Sequence, residues 1–235
     1  MKFLIFCASL CLLVSLPGKS EKRQVSALDI LNLPAENRKL AALEGDETLF
    51  EELRGLSRNP QQSMQVRWQS LMLMSEMNPR ASIQELLKAT ASTEWFMRNA
   101  GLVALEQVQK TRAVEVAQEL IRDKALVVRS AAVEVLSRSL SPAIREVFWQ
   151  ELYKQYNFRA ERSLWVRAQI LQALAQQPQE NEGKIFERLL SEKDPNIQTV
   201  SMLALERLYG LKLGKAETPV VQKISLWQKH LRKNY

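Results

Sequence analysis

The sequence predicts an all-α protein, a right-handed α-solenoid (α-α superhelix) of stacked helical hairpins with a C-terminal capping helix. Glycine (7) and proline (8) are scarce among the 235 residues, which favours long helices over many turns. A hydrophobic content of 46% with 25% charged residues is ordinary for a folded chain. A motif that recurs about every 31 residues indicates that the helices form repeating units.

The first twenty residues have the composition of a secretory signal peptide. Lys2 precedes the apolar run Phe3–Leu16, and Pro17 follows. The run is short for a membrane-spanning helix and has the length of a signal-peptide core. We therefore expect cleavage after Ser20 and export, to the periplasm or as a secreted protein. A retained membrane anchor is the alternative.

Both cysteines, Cys7 and Cys11, lie inside this apolar run. The exported chain would therefore contain no cysteine, which excludes disulfides, thiol nucleophiles and thiolate metal ligands. A small exported domain without disulfides is more typical of a bacterial periplasm than of a eukaryotic secretory pathway, so we expect a bacterial protein.

The recurring motif reads apolar, basic, two variable residues, small, three variable residues, leucine. Its copies begin at Val66-Arg67, Met97-Arg98, Val128-Arg129, Val166-Arg167 and Ile197-Gln198. Residues three and four apart share one face of a helix, so the apolar residue, the small residue and the leucine predict a buried stripe. The small residue allows a neighbouring helix to approach closely.

The clearest copy, Val128-Arg-Ser-Ala-Ala-Val-Glu-Val-Leu136, resembles the second helix of HEAT and HEAT-like repeats. The resemblance implies about five helical-hairpin repeats. It also implies that the arginine column, Arg67, Arg98, Arg129 and Arg167, is structural and binds turn carboxylates and carbonyls of adjacent units. Glu94, Asp123 and Asp194 supply the acidic turn position. The alternative is that the column binds an acidic ligand.

Four segments follow from the caps and breakers along the chain. They are a signal peptide (1–20), a partly helical N-terminal segment (21–45), the repeat domain (46–210), and a C-terminal loop with a capping helix (211–235). First helices are expected at 46–57, 82–90, 111–121, from Pro142 onward and at 182–190. The capping helix would carry Val220, Ile224, Trp227 and Leu231 at helical spacing.

The residues give little support for catalysis. His230 is the single histidine, so neither a histidine-based triad nor a multi-histidine metal site can be built. The glycines form no phosphate-binding loop. We expect no enzyme, no metal, no cofactor and no small-molecule substrate.

The concave side of the array, lined by second helices, is the expected binding surface. The helical phase directs positions one, five and eight after the arginine column away from the core. These are Trp68, Met72 and Ser75 in the first unit, Asn99, Val103 and Glu106 in the second, and Thr199, Leu203 and Glu206 in the last. Trp68 and Met72 together indicate a contact anchor. The alternative is that they pack under the N-terminal segment.

The fourth unit is seven residues longer than the others and rich in aromatic residues. These are Phe148, Trp149, Tyr153, Tyr156, Phe158 and Trp165. They predict either the core of a longer first helix or a protruding turn that binds a partner through residues such as Trp149 and Tyr153.

The net charge of +7 includes a basic cluster on the last helix, formed by Lys223, Lys229, Arg232 and Lys233. Such a cluster suits nucleic acid, anionic lipid or an acidic protein, and export argues against nucleic acid. The function we expect is a non-catalytic exported scaffold that mediates protein–protein interaction in the cell envelope. The alternative is an envelope-surface protein that binds anionic lipid or cell wall through this helix, and an enzyme of HEAT-like fold is the least favoured class.

Overall fold

A computed structural model describes residues 25–234 of the chain. The expected signal peptide and both cysteines lie outside the described residues. Thirteen α-helices and one short β-hairpin form the regular structure of the described part. The helices are α1 (Ala27–Leu31), α2 (Ala35–Leu43), α3 (Glu47–Arg58), α4 (Met64–Met77), α5 (Pro79–Thr90), α6 (Trp95–Val108), α7 (Lys110–Leu120), α8 (Leu126–Ser137), α9 (Pro142–Leu152), α10 (Trp165–Gln176), α11 (Gly183–Leu189), α12 (Pro195–Tyr209) and α13 (Val220–Asn234).

The helices from α3 to α12 form five successive hairpins. Each second helix packs directly on the next one, in the order α4, α6, α8, α10 and α12, whereas successive first helices contact one another much less. The array is therefore narrower on the side of the second helices, which form its inner face. The all-α solenoid predicted from the sequence is confirmed.

The recurring motif forms the buried stripe that its spacing predicts. The small position is fully buried at Ser70, Ala132 and Ser201. At Gly101 the reason for a small residue is visible, because a Cβ there would lie 2.8 Å from the backbone nitrogen of Thr90. The backbones of α5 and α6 thus approach too closely for any side chain between them.

The N-terminal segment, which we expected to be partly helical, forms the two helices α1 and α2. Ser26 caps α1 in a capping box with Asp29, and Pro34 fixes the backbone at the start of α2. Ala27, Ile30 and other small or apolar side chains of the segment are buried against the first hairpin. The segment therefore covers the end of the array that precedes α3.

The first helix of the second hairpin begins three residues before the expected start at Ser82. The Asn78 side chain accepts a hydrogen bond from the Ala81 N–H at 3.1 Å, and Pro79 occupies the first turn, where its missing N–H costs nothing. Ser82 instead lies inside the helix and donates to the Pro79 carbonyl.

The extra residues of the fourth unit lie in its turn, and α9 is no longer than the first helices α3, α5 and α7. They form a 3₁₀ turn (Gln155–Asn157) and an antiparallel hairpin of β1 (Phe158–Arg159) and β2 (Arg162–Ser163). The two turn residues, Ala160 and Glu161, both have positive φ, at 46° and 63°. The protrusion predicted from the length of the unit is therefore this hairpin.

The array ends at Gly210, whose φ of 61° terminates α12 in the left-handed conformation. Helix α13 then packs on α12 and buries Ile224 and Trp227, and the Trp227 ring stacks on Tyr209 at 6.2 Å. This helix caps the last hairpin. None of the helices in the described part is both long and apolar enough to cross a membrane.

Candidate functional site

The arginine column lies at the boundaries between successive hairpins. Arg67 donates to the Glu94 carboxylate at 2.7 Å and to the Ser57 carbonyl at 3.2 Å. Glu94 stands directly before α6, so the contact joins the first hairpin to the second. All four column arginines are buried.

Arg98 makes the most symmetrical of these contacts. Its guanidinium donates to both oxygens of the Asp123 carboxylate, at 2.5 and 2.7 Å, and also to the carbonyls of Ser92 and Thr93, each at 2.9 Å. Burial raises the pKa of Asp123, but the bonds from Arg98 and from the Ala125 N–H outweigh this effect and hold the pKa below its ordinary value.

Arg129 has no carboxylate partner, because the longer turn of the fourth unit places an asparagine opposite it. It donates to Asn157 Oδ1 at 3.0 Å, to the Tyr156 carbonyl at 2.9 Å and to the Asp123 carbonyl at 2.7 Å. Burial lowers the pKa of the Arg129 guanidinium. Within the described residues, the Arg129 guanidinium thus donates only to amide oxygens. It also lies over the Tyr156 ring, 5.3 Å from the ring centre.

Arg167, at 0% exposure, donates to both oxygens of Glu192 at 3.0 Å and lies 4.2 Å from the Phe158 ring centre. The sequence analysis placed the turn acid at Asp194. Asp194 instead caps α12 and accepts from the Asn196 N–H, so this assignment was wrong. The column arginines are buried and hydrogen-bonded within the array, so their charges do not face a ligand.

Four buried glutamates, which the sequence analysis did not identify, form further contacts of the same kind. Each accepts a hydrogen bond from an arginine of another helix or turn. The pairs are Glu85 with Arg58, Glu106 with Arg138, Glu151 with Arg122, and Glu182 with Arg145. Bonds from arginine lower the pKa of Glu85, and they lower that of Glu182 against the opposing effect of burial.

The residues predicted for the concave side are only partly exposed. Trp68 is 37% exposed, while Met72, Asn99 and Val103 are half-buried. Met72 and Val103 pack on the hydrophobic core. Asn99 lies at the boundary of two units, where its Nδ2 is 3.5 Å from the Val127 carbonyl. The second helices do present these residues on one face.

The prediction that position eight points outward was wrong for Ser75 and Glu106, which are buried. The reason is that the C-terminal turns of the second helices are covered by the next unit. Arg138 reaches back to Glu106, and Arg207 donates to the Ala175 carbonyl at 2.7 Å.

Trp149 and Tyr153 differ in their surroundings. Trp149 is half-buried, donates from Nε1 to Glu182 at 2.6 Å and packs edge-on against Phe186 at 5.4 Å. These contacts join the fourth hairpin to the fifth. Packing within the array therefore explains the tryptophan at this position, and no binding partner is needed to explain it. Tyr153 is 53% exposed at the end of α9, on the side of the first helices.

The exposed face of the second helices extends further toward their N-terminal ends than the helical phase suggested. We call this face the second-helix row and define it by the residues two before, one after and five after each column position. The row comprises Gln65, Trp68, Met72, Phe96, Asn99, Val103, Val127, Ser130, Glu134, Trp165, Ala168, Gln172, Asn196, Thr199 and Leu203.

Two exposed apolar residues of this row were not predicted from the sequence. Val127 is 41% and Trp165 54% exposed, and Trp95, next to the row, is 44% exposed. Trp165 also bridges two units, because its Nε1 donates to Ser130 Oγ at 3.2 Å. Helical phase was the signal that could have found them. The position two residues before the column arginine lies at nearly the same angle around the helix as the position five residues after it.

Charge is almost absent from the second-helix row. Glu134 is its single charged residue, and this carboxylate pairs with Arg138 on its own helix. Within the described residues, no group of three or more histidine, cysteine, aspartate or glutamate side chains could hold a metal ion. The row can therefore offer large apolar rings and uncharged polar groups to a ligand.

Comparison with known proteins agrees with this architecture. Residues 47–137, which span α3 to α8, match the family of HEAT repeats. No curated protein matches the chain. The crystal structure of an engineered protein resembles it at 15% identity and a TM-score of 0.46, over 78% of this chain and 96% of the engineered one. Residues 47–137 are thus similar to HEAT repeats, and the hairpins that follow continue the same motif to Tyr209.

Proposed function

We propose that the protein is a non-catalytic, exported scaffold that binds another protein in the cell envelope along the second-helix row. HEAT repeats are generally protein-interaction scaffolds, and stacked repeats offer extended concave surfaces for this purpose. Export depends on the signal peptide expected at residues 1–20.

The observation that carries the proposal is the exposure of large apolar side chains along one face that has a single charged residue. Trp68, Val127, Trp165 and Leu203 are each more than a third exposed. Tryptophan is enriched among the residues that dominate protein–protein binding energy, and charged residues are depleted from the centres of such interfaces. The occupant we propose is an apolar-faced, weakly charged segment of the partner.

The state of the buried carboxylates supports a role without catalysis. A general acid at neutral pH needs a raised pKa, whereas arginine bonds hold the pKa of Glu85 and Glu182 low. The one histidine, His230, lies against the Trp227 ring at 5.8 Å in the capping helix, far along the chain from these carboxylates.

The test is a crosslinking pull-down from the native envelope, quantified for the wild type and for Trp68→Ala combined with Trp165→Ala. We expect the double variant to lose at least thirtyfold in recovery of the partner, since each anchor of this type contributes about 2 kcal/mol or more. Met72 is left intact because its half-buried side chain packs on the core.

The matched control is Tyr153→Ala, which removes an exposed aromatic ring from the side of the first helices. It should recover the partner as the wild type does. Equal recovery by the Trp68/Trp165 variant and the wild type, with both folded by circular dichroism, would reject the row as the binding face.

A further inference from the structure

The positive charge of the protein is concentrated at its C-terminal end. Residues 21–210 contain 25 basic and 25 acidic side chains, whereas residues 211–235 contain six basic residues and one acidic residue, Glu217. Residues 21–210 thus have no net charge, and many of their arginines form ion pairs with the carboxylates described above. The C-terminal segment has no comparable supply of carboxylates.

Within the described residues, four of the six basic side chains of this segment are exposed and unpaired. Lys212, Lys215, Lys229 and Arg232 are all exposed, and none forms a salt bridge within the described residues. Lys223 donates to the Ala216 carbonyl at 3.3 Å, which holds the loop, and with it the neighbouring Lys215, beside α13. Like charges left close together without partners raise the free energy of the folded protein, so they indicate an external anion.

Helix α13 presents two of these charges, Lys229 and Arg232, on the side away from the array. Its inner face buries Ile224 and Trp227. The opposite face contains no acidic residue and consists of Val221, Gln222, Ser225, Leu226, Lys229 and Arg232, all exposed. Val221 is 77% and Leu226 41% exposed, so apolar and basic side chains share this outer face.

From this arrangement we infer that the outer face of α13, with the preceding loop, binds an anionic lipid surface. A helix that lies flat on a membrane combines basic side chains, which attract the headgroups, with apolar side chains that enter the interface. The phosphate backbone of a nucleic acid would use the lysines and Arg232 but would leave Val221 and Leu226 in water. The contact is independent of the second-helix row and leaves that row free for a partner.

The test is co-sedimentation of the full chain with vesicles of phosphatidylcholine alone and with vesicles that contain 30% phosphatidylglycerol. The apolar run Phe3–Leu16 is present in every sample, so the readout is the ratio of the two affinities. The variant is Lys229→Gln with Arg232→Gln, and the matched control is Arg80→Gln with Lys110→Gln. Arg80 and Lys110 are exposed residues of the array that form no salt bridge within the described residues, and the two variants lose the same charge.

We expect the wild type and the control to prefer the anionic vesicles by at least a hundredfold at low salt, and we expect 0.5 M salt to remove most of this preference. The Lys229/Arg232 variant should lose about thirtyfold in this preference, with the tryptophan fluorescence and the circular dichroism of the chain unchanged. Equal losses in the two variants would overturn the assignment to α13. Binding to poly-glutamate without binding to anionic vesicles would overturn the lipid assignment and indicate an acidic protein.

Discussion

Arg98 and Asp123 form a two-bond ion pair across the boundary between the second and third hairpins, with both side chains more than nine-tenths buried. Asp123 lies in the turn before α8, while Arg98 lies in α6, so the pair fixes the stacking of one unit on the next. The same aspartate also accepts from the Ala125 N–H at 2.7 Å and thereby orders its own turn.

Replacement of Asp123 by asparagine should lower the free energy of unfolding by about 2–3 kcal/mol at pH 7, because Arg98 would keep a buried charge without its counter-ion. Urea denaturation of the wild type and the variant measures the difference. The control is Glu115→Gln, which removes an exposed pair with Arg112 and should change stability by less than about 0.5 kcal/mol.

The difference between the wild type and Asp123→Asn should also depend on pH. The folded protein holds the pKa of Asp123 below its ordinary value, so the unfolded chain binds the proton more readily. The contribution of ionised Asp123 to the free energy of unfolding is complete above the ordinary aspartate pKa of about 4. It is lost as the pH falls through the lower pKa that Asp123 has in the folded protein. A stability difference that stayed constant from pH 7 down to pH 2 would show that this ion pair does not contribute as described.

Replacement by alanine should change the stability of the protein in opposite directions at two helical glycines. At Gly101 a Cβ would meet the backbone of α5 at 2.8 and 2.9 Å, so Gly101→Ala should destabilise the protein by about 1–3 kcal/mol despite alanine's higher helix propensity. At Gly55, in α3, a Cβ meets nothing within 4 Å, and Gly55→Ala should stabilise by up to about 1 kcal/mol. Thermal denaturation of both variants tests the pair, and destabilisation by Gly55→Ala would contradict it.

Trp149→Phe should weaken the junction of the fourth and fifth hairpins without affecting partner binding. Phenylalanine keeps the edge-on contact with Phe186 but removes the hydrogen bond to Glu182, at a cost of about 1 kcal/mol. Denaturation measures the loss, and the envelope pull-down should be unchanged. Reduced recovery of the partner by a fully folded Trp149→Phe protein would restore the earlier assignment of this residue to binding.

The periodic motif predicted the second helices and their buried stripe, since both depend on positions within a single helix. The structural role of the column arginines was implied by the resemblance to HEAT repeats. Glu94 and Asp123, the first two expected turn acids, are the partners of the first two column arginines. The partners of the last two were not predicted, because they depend on the length of each turn. Arg167 binds Glu192 two residues before the expected Asp194, and Arg129 binds Asn157 because a 3₁₀ turn and hairpin replace the usual short turn.

The exposed row was predicted at Trp68 but not at Val127 or Trp165, for a similar reason. Helical phase gives the direction of a side chain, whereas exposure also depends on what the neighbouring unit covers. Arg138 and Arg207 cover the C-terminal turns of the preceding second helices, so the free surface lies toward the N-terminal ends.

Binding along the second-helix row is tested most directly by a photo-crosslinking side chain placed at Val127, at the centre of the row. The matched site is Gln118, an exposed residue of α7 on the side of the first helices. Illumination in the native envelope should crosslink one protein partner from position 127 and not from position 118, and Trp68→Ala with Trp165→Ala should abolish the product. A product from position 118 alone, or a product from position 127 that survives both tryptophan substitutions, would contradict binding along this row.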